Sequence, residues 1–356
     1  MSELLNQTLK NHKIVINCGC GGVGKTTISA ALGIRAAEMG LKVIVLTIDP
    51  AKRLADSLGI GSITNEPKKV PLTSGVQGEM WAMMLDVRDT IRNLVVRNAT
   101  SEQQVRNILN NHIYQQLSHS MGGGQEYGAM EGLYALHLKN EYDLIILDTP
   151  PSQHALDFIS APLKLKEFFG QSVLKYFLEG QKEQIGRSLA GKGGNLALKL
   201  FEKLTGSHFL SDLSDFLGNF QGMYEAIRDE AEQVSDLLAS NETAFLAVSS
   251  PEKQQLIESF SLTRKLLEFH LPFKGLLINK CTPEFNFSSS AEIPHELGQA
   301  LERLLLNHQK HVNHENDMIR SIIGELPSSV FIQKLPIFPR DVHNMEILME
   351  LNYTMD

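Results

Sequence analysis

Gly19-Cys20-Gly21-Gly22-Val23-Gly24-Lys25-Thr26 stands between an apolar run, Ile14-Val15-Ile16, and an alanine-rich stretch of helical character. It satisfies G-x-x-x-x-G-K-T, the spacing of a phosphate-binding loop. The glycines let successive backbone N–H groups turn inward around the α- and β-phosphates, and the loop opens onto a helix N-terminus whose partial positive charge favours them further. On this reading Lys25 reaches the β- and γ-phosphates, and Thr26 offers its hydroxyl to Mg²⁺. Gly21, Gly22, Val23, Gly24 and Thr27 complete the cradle. A hard cation with octahedral demands takes few protein ligands and keeps oxygens from phosphate and water. ATP and Mg²⁺ are the expected cofactors.

The chain has 356 residues, of which 42% are apolar, enough for one large α/β domain with insertions or for two domains. Its net charge of −8, without long charge blocks, argues against nucleic acid or an anionic membrane surface as the main partner. No stretch of 18 or more apolar residues occurs and Met1 to Lys13 is polar, so neither stable membrane insertion nor a signal segment is expected and the expected compartment is the cytoplasm. Three cysteines without C-x-x-C spacing describe neither a disulfide scaffold nor structural zinc.

Around the loop, β-branched runs alternate with helical stretches. Ile14 to Cys18 reads as the first strand, Thr26 to Met39 as its crossover helix closed by Gly40, and Lys42 to Ile48 as the second strand. Further strands are expected at Trp81 to Leu85, with Asp86 capping the next helix, and at Asp143 to Leu147, Phe245 to Ser249, Gly275 to Asn279 and Val330 to Leu335. Such alternation predicts an α/β fold, a doubly wound, mostly parallel sheet with its ligand at the carboxyl ends of the strands and an inserted α-helical subdomain.

The expected division is a first core segment at 1–154, including a helical stretch at 87–139 with a Gly122-Gly123-Gly124 break, a helical insertion at 155–240, and a second core segment at 241–356. In the insertion, Phe209, Leu210, Leu213, Phe216, Leu217, Phe220, Met223, Tyr224, Ile227, Ala231, Val234 and Leu238 recur at helical steps. A second stripe runs from Leu163 to Leu178. Each stripe is either packed core or an exposed groove for an apolar partner.

Two carboxylates sit where phosphoryl transfer needs them. Asp49 follows the second strand and is placed to hold the attacking water; Asp148 ends a buried strand, the position from which a carboxylate reaches the Mg²⁺ shell. Thr149 to His154 would then sense the γ-phosphate. The metal set is thus Thr26, Asp49 and Asp148.

The loop, Asp49-Pro50-Ala51 with Leu54 and Asp56, Asp148-Thr149 with Pro151 and His154, Asn279 after a hydrophobic strand, and Leu335-Pro336-Ile337-Phe338-Pro339-Arg340-Asp341-Val342 together resemble the arsenite-transport ATPase (ArsA) family. This family includes the guided-entry ATPases for tail-anchored membrane proteins, and the wording of the first switch is most similar to its bacterial branch. The wider group, with a deviant loop of this kind, also holds the MinD and ParA proteins. The resemblance covers nearly the whole chain. It implies a dimer with nucleotide at its interface, Asp49 orienting water, Asn279 contacting adenine, and Pro336 and Phe338 flanking the base.

Members of that family carry at the second loop position a lysine that crosses the dimer; here it is Cys20. Three substitutes remain open: Lys52 or Arg53 in the first switch, a related subunit that supplies the lysine in a heterodimer, or slow turnover. A thiol among inward-pointing N–H groups also suggests redox control through Cys20; the favoured alternative is that Cys18 is a small buried strand residue and Cys20 a tolerated loop replacement.

The leading functional expectation is a dimeric ATPase whose nucleotide state controls a helical region that binds a protein client, a hydrophobic or tail-anchored one among the candidates. The alternatives are a slowly hydrolysing switch or heterodimer scaffold, and the ATPase of an arsenite efflux pump. The last is disfavoured because soft As(III) wants clustered thiolates and two of the three cysteines lie in or beside the loop.

Overall fold

Runs of aliphatic residues make strands that are buried along nearly their whole length: β1 (Ile14–Gly19), β2 (Lys42–Thr47), β5 (Leu144–Asp148), β6 (Thr243–Ser249) and β7 (Phe273–Cys281). Burial of successive residues, rather than of alternate ones, marks strands covered on both faces. The flanking strands β3 (Lys68–Val70), β4 (Glu79–Met84) and β8 (Phe331–Pro336) are half open to solvent. The computed structural model describes residues 2–48, 53–112, 114–115, 124–149, 212, 215–216, 218–219, 223–284, 295–338 and 345–354.

The strands form one eight-stranded sheet in the order β3-β4-β2-β5-β1-β6-β7-β8. All neighbours are parallel except β3, which runs antiparallel to β4. This is the doubly wound α/β sheet expected. Its register aligns Asn17 of β1 with Asp148 of β5, and Asp148 with Thr47 of β2, so three polar side-chain types meet at the carboxyl ends of otherwise apolar strands.

The helices are α1 (Ser2–Asn11), α2 (Lys25–Glu38), α3 (Arg53–Leu58), α4 (Val87–Asn98), α5 (Glu102–Leu109), α6 (Gly124–Lys139), α7 (Tyr224–Ala239), α8 (Lys253–Glu268), α9 (His295–Ile323) and α10 (Met345–Tyr353). Helix α2 is buried from Ile28 to Ala37, which its small residues permit, with the sheet on one side and α1, α3 and α10 on the other. It stops where Gly40 takes φ +89 and its N–H donates to the Ala37 carbonyl at 3.0 Å.

The described residues divide into two compact units. The first holds the sheet, with residues 2–84, 140–149 and those from Leu238 onward. The second comprises Leu85–Lys139 and the described residues up to Leu237. Its core joins Leu94 and Val95 of α4 and Ile108 of α5 to Met223, Ile227 and Ala231. The helical stretch at 87–139 therefore packs with the later helices, because its apolar face is completed by theirs. The described part of the first apolar stripe is core, not groove. The stripe from Leu163 to Leu178 lies outside the described residues.

Asp86 caps α4 as expected, accepting from the Asp89 N–H at 3.3 Å. Helix α1, unmarked in the sequence, buries Leu5 and Leu9 fully and leaves Glu3, Leu4, Gln7 and Lys10 exposed.

Candidate functional site

The phosphate loop leaves β1 at Gly19, where the backbone runs so close to β6 that a Cβ would lie 2.1 Å from the Val248 carbonyl oxygen. Only glycine fits there. At the other end Gly24 takes φ +93 and ψ 27 to turn the chain into α2, and no side chain caps that helix. Its first N–H groups and its dipole thus face the loop without a protein acceptor from the cap residue. Gly21 and Gly22 are exposed, Val23 is buried, and Thr27 is half-buried. A Cβ on Gly22 would meet no atom within 4 Å, so the tip of the loop is open.

Lys25 folds back over this loop, and its Nζ donates to the Cys20 carbonyl at 2.7 Å. Burial pulls its pKa below the usual lysine value; the carboxylate of Asp148 acts in the opposite sense, and the guanidinium of Arg53 adds to the depression. Arg53, exposed at the start of α3, is therefore within electrostatic reach of the loop.

Asp148 is 2% exposed and accepts from Thr26 Oγ1 at 2.7 Å and Thr47 Oγ1 at 3.2 Å, both on Oδ2. Ser29 Oγ is 3.5 Å from Oδ1 and donates to the Lys25 carbonyl at 2.9 Å. Asn17, fully buried, donates from Nδ2 to Ser29 Oγ at 2.7 Å and gives its backbone carbonyl to Thr149 Oγ1 at 2.7 Å. A buried carboxylate is tolerable when hydroxyls and a nearby ammonium compensate for lost water.

On the far side of the loop, β7 and β8 bring the remaining residues in. Asn279 donates from Nδ2 to the Val23 carbonyl at 2.9 Å, and Lys280 donates from Nζ to the Gly22 carbonyl at 2.8 Å. Pro336 pairs with Cys281, and the Ile337 N–H donates to the Cys281 carbonyl at 2.8 Å, so the segment 336–338 lies beside the end of β7. Phe338 packs against the main core.

The structure thus brings Gly21 to Thr27, Asp148, Asn279, Pro336 and Phe338 to one end of the sheet. Asp49 and Lys52 lie outside the described residues, as do Pro150 to His154 of the second switch. The polar supports Asn17, Ser29 and Thr47, and Lys280, were missed in the sequence. A lone Asn inside Ile14-Val15-Ile16-Asn17-Cys18 is the one signal that was available, since an amide in a buried strand needs a partner.

The reading of Cys20 changes. Its side chain is 1% exposed and turns away from the phosphate side, with Sγ 3.7 Å from the Gln255 carbonyl and 3.8 Å from Ser259 Oγ on α8. The thiol does not stand among the inward-pointing N–H groups, because the loop directs its second side chain into the core under α8.

For a magnesium nucleotide the donor set fits: an uncapped helix N-terminus and an open loop for phosphate, an ammonium, and hydroxyl and carboxylate oxygens 2.7 Å apart for a hard cation. No cluster of three His, Cys, Asp or Glu able to hold a metal on its own occurs among the described residues. Among the described residues no helix is long and apolar enough to cross a membrane.

The chain is 28% identical to ATPase ARSA2 of Chlamydomonas reinhardtii over 275 residues, 76% of this chain and 68% of that protein. It is 27% identical to an ATPase ASNA1 homolog of Entamoeba histolytica over 289 residues, 79% of each chain. To ATPase get3 of Schizosaccharomyces japonicus it is 24% identical over 352 residues, 99% of this chain and 94% of that one. The family model described as anion-transporting ATPase matches residues 12–354. That span takes in every strand of the sheet and both walls of the phosphate loop, and the chain therefore belongs to the anion-transporting (ArsA) ATPase family and is an ATPase.

Proposed function

We propose that this ATPase works as a dimer, binding MgATP at the loop of residues 19–26, and that its nucleotide state controls a helical region that handles a protein client. The observation that carries the nucleotide part is the meeting of Lys25, Thr26 and Asp148 at the uncapped start of α2. The client part rests on the family resemblance. Bound MgATP supplies the phosphoanhydride bond to be cleaved and a cation that neutralises its charge.

In this reading the protein's own groups do the following. Lys25 exchanges a neutral acceptor, the Cys20 carbonyl, for phosphate oxygens, a stronger charge-assisted bond. Thr26, whose hydroxyl donates to Asp148, and Asp148, held also by Thr47, are the residues that would hold the magnesium ion, which would supply charge neutralisation at the phosphates. Asp49 orients the attacking water, and Asn279, Pro336 and Phe338 border the base. Arg53, with Lys52 beside it in sequence, supplies positive charge near the γ-phosphate.

One observation favours a second reading, a slow switch or a heterodimer subunit. A cysteine cannot carry positive charge, and Cys20 is packed inside its own protomer, so the second loop position sends no cation to a neighbouring subunit.

Phosphate release with MgATP, measured across a protein concentration series, separates the readings. A rate that rises with concentration, falls in Arg53→Ala or Lys52→Ala and vanishes in Asp49→Asn is the expected result. Negligible release at every concentration would refute the self-sufficient dimer.

A further inference from the structure

The ladder between β7 and β8 runs from Gly275 opposite Phe331 to Ile278 opposite Lys334, then shifts register before Cys281 meets Pro336. Asn279 and Lys280 are the residues left in the bulge, a feature that commonly re-aims side chains at functional sites. Asn279 goes to the Val23 carbonyl and is 7% exposed. Lys280 takes φ +63, a left-handed conformation that is strained for a residue with a Cβ, and is exposed. That backbone returns the side chain over the loop, where Nζ meets the Gly22 carbonyl at 2.8 Å.

Lys280 is therefore in the same situation as Lys25. Each ammonium is parked on a neutral backbone oxygen of the loop, Gly22 for one and Cys20 for the other. A phosphate oxygen is a stronger acceptor than a carbonyl for either. Lys280 differs in lying on the solvent side, on a flexible four-carbon stem, beside the open tip at Gly22. The loop's own sequence provides one lysine, and its second position, Cys20, faces α8.

We propose that Lys280 is a phosphate-binding residue. On binding of a nucleoside di- or triphosphate its ammonium leaves the Gly22 carbonyl and pairs with a phosphate oxygen, so that β7 contributes a second cation beside Lys25. This rests on the nucleotide reading given above. The competing role is a clamp that merely holds the tip of the loop.

The experiment uses the full chain as wild type, Lys280→Gln, Lys280→Arg and Lys25→Ala. Calorimetry gives the affinity for MgATP and MgADP at low and at raised salt, and thermal unfolding without nucleotide gives the cost to the fold. Lys280→Gln is expected to weaken both nucleotides about tenfold, the effect of one exposed charge-assisted bond, with a smaller loss at raised salt. Lys280→Arg keeps most of the affinity, and the unfolding midpoint moves little in either variant. Wild-type affinity in Lys280→Gln overturns the proposal, and so does a loss that is independent of salt and matched by a lowered midpoint without nucleotide, the mark of a clamp. Lys25→Ala separates the two levels: if it binds nucleotide as the wild type does, the nucleotide reading falls and this proposal with it; if it alone loses binding, only the role of Lys280 is refuted.

Discussion

Gly24→Ala tests the way the phosphate loop is held. A Cβ at this position would lie 2.5 Å from Asn279 Nδ2, well inside contact distance, and Gly24 sits at φ +93. The left-handed backbone costs alanine about 1–2 kcal/mol. The amide of Asn279 must also swing away and give up its bond to the Val23 carbonyl, a further loss of about 1 kcal/mol. Together these give about 2–3 kcal/mol, which for a unit of this size lowers the unfolding midpoint by roughly 5–10 °C. Trp81, the one tryptophan, lies on β4 of the same sheet and reports the transition by fluorescence. Asn279→Ala alone costs about 1 kcal/mol through the same hydrogen bond. Because Gly24→Ala already breaks that bond, the double variant is expected to be no less stable than Gly24→Ala, a coupling of about 1 kcal/mol between the two sites. Strictly additive losses, or an unchanged midpoint in Gly24→Ala, would refute the reasoning.

Asp148→Asn keeps an oxygen for Thr26 and Thr47 but removes the charge; ATP binding without Mg²⁺ is expected to persist while the Mg²⁺ needed for half-saturation rises about tenfold, and an unchanged requirement would exclude this carboxylate from the metal shell. In the second unit Glu131 is 1% exposed beside Arg97, which Glu230 shares, and burial pushes its carboxyl up to about 7. The folded state then keeps a proton that the unfolded chain has released above its ordinary value of 4.5, so stability falls as pH rises from about 4.5 to about 7 and levels off beyond. Glu131→Gln is expected to flatten that slope in helix unfolding followed by circular dichroism; equal slopes in both proteins would show that another group is responsible. All three cysteines are buried, and burial raises the thiols of Cys18 and Cys281 to about 12, so a thiol reagent at pH 8 is expected to label none of them rapidly until denaturant is added. One fast equivalent, lost in Cys20→Ala, would restore the redox reading of Cys20.

The sheet was legible because its central strands are continuous apolar runs, among them Ile14-Val15-Ile16, closed by Gly19, and Leu144-Ile145-Ile146-Leu147, closed by Asp148. The phosphate loop was legible because glycine spacing and the Lys25-Thr26 pair encode its chemistry locally. Strand β3 was not, since Lys68-Lys69-Val70 has no periodicity to read and pairs only because β4 offers an edge. Nor was the destination of a side chain: Cys20 reads as a loop residue facing phosphate, yet its direction is set by α8, more than two hundred residues away. Lys280 escaped for the same reason, because a register shift between β7 and β8 is a property of two strands and of neither sequence alone.

The strand order has a consequence for synthesis. β1, which carries the loop, is completed by β5 on one side and β6 on the other, and the loop's tip is tied down by Asn279, 256 residues after Val23, and by its neighbour Lys280. At 5–20 residues per second a ribosome needs about 10–50 s to cover that distance. Through that interval the nascent chain carries a complete phosphate-loop sequence without the wall that positions it. Capture of nucleotide by the growing chain therefore marks the emergence of β7 rather than of the loop itself, and a stalled chain that ends before Asn279 is a poor competitor for ATP however well its first strands have folded.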